Sequence, residues 1–308
     1  MDRLNVKEAN KLVMKIFLFM TVVALTFSFF IKENQFGTLN IYLFINEWVV
    51  IFLPAYFFAR RQSGDFYTTF RVKPIKASTA MISVYIGLVG WVSAAIIQLF
   101  IFSIFFKNIK PPPGPLDYAP DSIVGLVLQL FIVAVSAGIC EEFLFRGVVL
   151  RGYEEWGTLR AILFSGFLFA LLHGSMLKLV PLMAVGALFS YMAVKFDSIF
   201  PSMIAHTTNN AASVIIVFLT SRVKNPTSIE NIIIYIIVVL VLLAFLFGLP
   251  FLILYLRKLP QPNYHPPAES IGRNLISLLR MWTFYIIIGI AIYLMFSEWQ
   301  AITTPLPK

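Results

Sequence analysis

The sequence predicts an all-α fold: a polytopic transmembrane helical bundle of about eight to nine spanning helices. Three observations carry that expectation. Of the 308 residues, 59% are hydrophobic and only 13% are charged, against roughly 25% charged in soluble domains. Mean hydropathy is +0.85, and long uncharged stretches recur from Val13 onward with Lys and Arg between them. The run Pro111-Pro112-Pro113-Gly114-Pro115 and the proline-rich stretch 260–267 cannot continue a helix and read as interfacial loops.

In chain order the candidate spans are 13–31, 41–58, 80–106, 123–150, 161–177, 179–194, 199–219, 232–255 and 275–295. Most approach the roughly 20 apolar residues that a helix needs to cross a bilayer. The first is basic at its start, lacks an A-x-A-like cleavage site and is followed by further spans, so it reads as a retained helix rather than a signal peptide. The organisation expected is about three N-terminal helices in 1–121, a core in 122–220 and about two further helices in 221–308.

The net charge of +9 forms no dense basic tract, which argues against nucleic acid as a partner. The basic residues sit at the ends of apolar segments, as topological anchors do. Counted on alternate sides, sixteen fall with the N-terminus, among them Lys7, Arg60, Arg71, Arg151, Lys195 and Arg257, and seven fall opposite, among them Lys178 and Arg222. With Arg146 set apart as intramembrane, this excess predicts a cytoplasmic N-terminus. Compact size and the lack of a targeting segment suggest the plasma membrane of a prokaryote. The single cysteine, Cys140, allows no intramolecular disulfide and reads as a small apolar residue rather than a nucleophile. Gly90-x-x-x-Ala94 and Gly186-x-x-x-Ser190 have spacings that bring helices close and carry no functional weight.

Charged side chains in hydrocarbon cost about 2.5–3.5 kcal/mol each on insertion scales, so a cluster of them calls for a function. The fourth, fifth and seventh spans hold Glu141, Glu142, Arg146, His173, His206, Asn209 and Asn210. Glu141 lies ten residues from Arg151, His173 thirteen from Arg160 and His206 eleven from Lys195. At the rise of an α-helix these separations are about 15–20 Å, which brings three helices' polar groups to a common depth near the midplane. Glu47 in the second span has no evident partner.

Residues four apart share a helix face. Glu142 therefore pairs with Arg146, Phe169 packs one turn from His173, and His206 aligns with Asn210. Glu141 points about 100° away from Glu142 and is left to face a cavity. A carboxylate in a low-dielectric cavity suits a general base acting on water. His173 is placed to orient that water or carry its proton, and His206 with Asn210 to stabilise an oxyanion. Amide hydrolysis is thus available without a covalent nucleophile.

The segments Cys140-Glu141-Glu142-Phe143-Leu144-Phe145-Arg146-Gly147, Phe167-Leu168-Phe169-Ala170-Leu171-Leu172-His173-Gly174 and Ala205-His206-Thr207-Thr208-Asn209-Asn210 resemble, in order, the three motifs of the CAAX prenyl endopeptidase and bacteriocin-processing (CPBP, Abi) family. The resemblance spans roughly 123–219 and implies an intramembrane glutamate-type endopeptidase with a catalytic core of about four helices. It implies Glu141, His173, His206 and Asn210 as catalytic, and Glu142, Arg146 and Phe169 as supporting residues. It also implies no cofactor, and a membrane-embedded or lipid-anchored peptide or protein as substrate, prenylated or bacteriocin-like.

Three other readings stay open on the sequence. Glu141, His173 and His206 are the ligand types of a zinc protease, although no His-Glu-x-x-His helix is present. Midplane His and Glu can serve a proton-coupled transporter, although no inverted repeat is evident. A non-catalytic membrane scaffold or immunity protein would need none of this chemistry.

Overall fold

The structure is a computed structural model and describes residues 4–28, 36–62, 65–105, 119–222, 229–259 and 264–303. The proline run 111–115 and the charges Arg3, Lys32, Lys107, Lys110, Lys224 and Lys308 lie outside them. The described chain is helical throughout. In order it forms α1 (Val6–Ser28), α2 (Phe36–Gln62), α3 (Ala77–Phe105), α4 (Ile123–Trp156), α5 (Thr158–Leu172), α6 (Leu179–Lys195), α7 (Phe200–Thr220), α8 (Ile229–Lys258), α9 (Ile271–Leu279) and α10 (Trp282–Thr303).

Six of these, α1 to α4, α7 and α10, are long and apolar enough to cross a membrane. Large apolar side chains such as Leu99, Phe105 and Phe251 are 70% or more exposed on the bundle's outside. Such a surface would drive aggregation in water and is ordinary against lipid. The chain is a multi-pass membrane protein.

Two ends of the bundle are defined by hydrogen bonds between loops. At one end, the Val6 amide donates to Glu155 at 3.0 Å, Arg71 pairs with Glu154 at 2.7 Å and with Asp197 at 3.0 Å, and the Thr158 amide donates to the His265 carbonyl at 3.1 Å. Partial burial works against the charge of Asp197, yet Lys73 and Arg71 hold its carboxyl below the usual range. At the other end, Arg222 reaches the Asp121 carbonyl at 2.9 Å, and Glu298 meets the turn after α5. The alternation counted from the sequence therefore matches the way the loops meet.

The boundaries differ from the sequence reading at three places, each with a local cause. α1 begins at Val6 rather than Val13 because the Asn5 side chain accepts the Glu8 amide at 3.0 Å, an N-terminal cap. α5 stops at Leu172 rather than Leu177, where Gly174 adopts φ +58, the left-handed terminator that glycine tolerates. The last expected span is two helices: α9 is capped by Ser270, the chain turns at Arg280, and α10 follows. A guanidinium at that depth of a continuous span would be costly.

Helices α4 to α7 form the centre, flanked by α1, α2 and α10 on one side and by α3 and α8 on the other. Two close approaches set their spacing. A Cβ on Gly138 of α4 would lie 2.2 Å from the Thr207 hydroxyl of α7, and one on Gly186 of α6 would lie 2.9 Å from the Cα of Gly166 on α5. Gly90, by contrast, meets only ordinary contact at 3.5 Å. Short π-helical turns interrupt α2 at Asn46–Phe52 and α4 at Leu130–Ser136 and Phe143–Val149, a deviation frequent at functional sites.

Candidate active site

The π-helical turns of α4 flank Glu141 and Glu142, and as neighbours in the α-helical stretch between those turns the two carboxylates leave the helix in different directions. Glu142 is fully buried and its Oε1 accepts from Arg146 at 2.5 Å. Arg146, also fully buried, donates its other terminal nitrogen to the Gly186 carbonyl at 2.7 Å. Its guanidinium carbon stands 4.8 Å from the ring centre of Phe169 and 5.6 Å from that of Phe189. A buried charge is tolerable only when partnered, and here Glu142 Oε2 and Arg146 Nε are left without a hydrogen bond among the described residues.

Glu142 Oε1 also lies 2.9 Å from His206 Nδ1. An ionised carboxylate can only accept, so Nδ1 carries the hydrogen. His173 Nδ1 lies 2.9 Å from the Phe169 carbonyl and is a donor for the same reason. Both rings thus present Nε2 inward, to one atom. Glu141 Oε2 is 3.9 Å from His173 Nε2 and 4.0 Å from His206 Nε2, buried, and has no hydrogen-bond partner among the described residues.

Phe169 packs against both imidazoles, with ring centres 4.8 Å from His173 and 5.6 Å from His206. The rings differ in exposure, since the His206 side chain is 4% exposed and that of His173 is 30%. Glu141, Glu142, Arg146, Phe169, His173 and His206 therefore form one cluster. Asn210 is anchored differently: its Nδ2 donates to the Val133 carbonyl at 3.0 Å and its Oδ1 accepts from Asn209 at 3.1 Å. One N–H of that amide remains.

Glu47 is the acid that sequence reasoning left without a partner. In the structure it is buried and its carboxyl lies beside that of Glu141. Glu47 rides on α2, which is fixed to α4 by Trp48 Nε1 donating to Ser136 Oγ at 3.0 Å and by the Phe52 and Phe143 rings at 5.3 Å. A usable signal was present, because Glu47 stands thirteen residues from Arg60, at about the 20 Å depth of the other groups. Glu47→Gln, whose amide can donate to Glu141, is expected to hold the rate of the Glu141 chemistry within about five-fold, whereas Glu47→Leu, which can neither donate nor accept, should lower it by about ten-fold or more. Equal rates for the two variants would deny Glu47 any influence on the base.

The same three inward atoms allow a test of metal fit. Anchored Nδ1 atoms are the usual outer partners of metal-bound imidazoles, and the donor types suit zinc. Tetrahedral zinc, with bonds of about 2.0–2.2 Å, needs its ligand atoms about 3.3–3.5 Å apart. The separations here are 3.9 and 4.0 Å, and no group of three His, Cys, Asp or Glu among the described residues is close enough to hold an ion.

Compared with protein-family models, residues 123–212 match the family described as type II CAAX prenyl endopeptidase Rce1-like. This segment, under a third of the chain, is similar to the Rce1-like family. The match begins with α4 and ends two residues past Asn210, so it contains all three motifs and neither Glu47 nor Glu298. No curated protein and no solved structure matches the chain. The Rce1-like family is one of CAAX-type endopeptidases, which agrees in general terms with a proteolytic site in the membrane.

Proposed function

We propose that the chain is an intramembrane glutamate-type endopeptidase acting on a membrane-embedded or lipid-anchored peptide or protein, prenylated or bacteriocin-like. The observation that carries this reading is the convergence of His173 Nε2 and His206 Nε2 on Glu141 Oε2 at 3.9 and 4.0 Å. A water about 2.8 Å from all three atoms would sit where Glu141 takes its proton as its oxygen attacks a carbonyl carbon. His173, with Nε2 unprotonated, aligns the water. The tetrahedral oxyanion faces His206, whose donation from Nε2 requires the doubly protonated ring because Nδ1–H is already given to Glu142. The free N–H of Asn210 is a second donor. Glu141 then passes its proton to the leaving amine as the C–N bond breaks, and no cofactor enters the cycle. The excess of sixteen basic residues over seven supports an N-terminus in the cytoplasm.

A second reading has its own observation. The donor set and the anchored Nδ1 atoms would also suit zinc held by Glu141, His173 and His206, given a contraction of about half an ångström.

Both are tested on the purified full chain in liposomes, using one tail peptide with and without a farnesyl group. Cleavage of either peptide that is lost in Glu141→Ala and survives chelation is the expected result. Stoichiometric zinc with activity lost on chelation would move the assignment to the metal reading. If neither peptide is cut, and the peptide termini of the host's membrane proteome are unchanged by the protein, proteolysis is rejected.

A further inference from the structure

The last helix meets the site from outside the Rce1-like segment. α5 ends at Leu172, His173 is its C-cap, and the turn from Gly174 leads to α6. At this turn Glu298 of α10 accepts three hydrogen bonds. Ser175 Oγ donates to Oε1 at 2.7 Å, the Met176 amide to Oε2 at 2.7 Å, and the Leu177 amide to the same oxygen at 3.4 Å. Ser175 Oγ in turn accepts the Lys178 amide at 3.3 Å. One turn back on α10, Leu294 covers Gly174, where an added Cβ would lie 2.7 Å from its Cδ1. α10 therefore grips the turn at its glycine and at its backbone donors.

Amides at a turn between helices have no intrahelical acceptor, and within a membrane such groups must be satisfied by protein. A carboxylate accepting them makes charge-assisted bonds, the stronger kind. His206 is held by Glu142 and by burial on all sides. His173 is not, since its side chain is 30% exposed and its Nδ1 bond goes to the last turn of its own helix. The position of His173 Nε2 against Glu141 therefore depends on where that last turn is fixed.

We propose that Glu298 is a positioning residue for His173, its carboxylate bracing the turn 174–178 so that α10 completes the active centre from outside the family-matched segment. This rests on the hydrolytic reading of Glu141 and His173, and its test has a part independent of cleavage. The full chain in liposomes is compared with Glu298→Ala, Glu298→Gln, Glu298→Asp and Ser175→Ala. Backbone hydrogen exchange over 174–178 is followed by mass spectrometry, and the rate at which diethyl pyrocarbonate modifies His173 is read against the exposed His265 as internal standard. In Glu298→Ala, exchange at Met176 and Leu177 should rise about ten-fold or more, in line with losing a bond to a charged group. His173 modification should change while that of His265 does not, and Glu298→Asp should lie nearer the wild type than Glu298→Gln.

On the farnesylated tail peptide, kcat should fall about ten-fold or more with KM within about two-fold, as for a group acting on the transition state. Ser175→Ala removes one of the three bonds, should move every readout in the same direction by less, and serves if Glu298→Ala does not fold. Unchanged exchange, His173 modification and kcat would overturn the proposal. If the wild type cleaves nothing, the hydrolytic reading fails, and exchange with His173 modification still decides whether Glu298 braces the turn.

Discussion

Glu141→Gln is expected to lower the cleavage rate by about 10²–10⁴-fold, the usual contribution of a positioned general base, while leaving the bundle intact. Glutamine has nearly the same size and keeps its place beside Glu47, His173 and His206, but it cannot take a proton from water. KM should hold, because the lost interaction is made in the transition state. Thermal stability should be unchanged or higher, since a neutral amide is less costly to bury than a carboxylate with an unpartnered oxygen. Single-turnover cleavage and unfolding of the purified protein measure both. A variant cutting within about three-fold of the wild-type rate would put the base elsewhere.

Arg146→Ala should have the largest effect on stability, about 3–5 kcal/mol, the usual cost of breaking a buried ion pair from one side. It strands Glu142 with His206 alone, opens the Gly186 carbonyl and removes the cation packed over Phe169 and Phe189. Arg146→Lys keeps the charge but cannot reach both Glu142 and Gly186 in the same fork, and should fall between. The double replacement Glu142→Gln with Arg146→Met leaves no uncompensated charge and should regain much of the loss, as buried pairs replaced together often do. Thermal unfolding in detergent reads all four proteins. An Arg146→Ala midpoint equal to that of the wild type would mean the pair does not hold the core.

Glu141, His173 and His206 were legible in the sequence because charge and hydrocarbon are incompatible, and because the fixed rise of a helix turns residue counts into depths. Glu47 obeyed the same rule and was set aside for want of a partner. It stands alone on α2, and its partner lies across a helix boundary that periodicity cannot see. Glu298 was hidden for another reason: near the end of a span, an acid reads as one reaching for water, and nothing in its neighbours signals that it turns toward another helix's amides. The early stop of α5 was written in Gly174, but hydropathy continued through Leu177 and carried the expected span with it. Helix order follows from apolar length, whereas breaks, caps and cross-helix hydrogen bonds depend on the packed arrangement.

The early stop of α5 reaches beyond the chain itself. α5 and α6 have 15 and 17 residues, about 22–26 Å of helix, shorter than a hydrocarbon slab about 30 Å thick. Lipids flanking this pair must dip or tilt to meet it, a hydrophobic mismatch costing fractions of a kcal/mol per ångström. A bilayer that thins to meet the pair would shorten the oil that water and polypeptide cross to reach His173, whose side chain is 30% exposed.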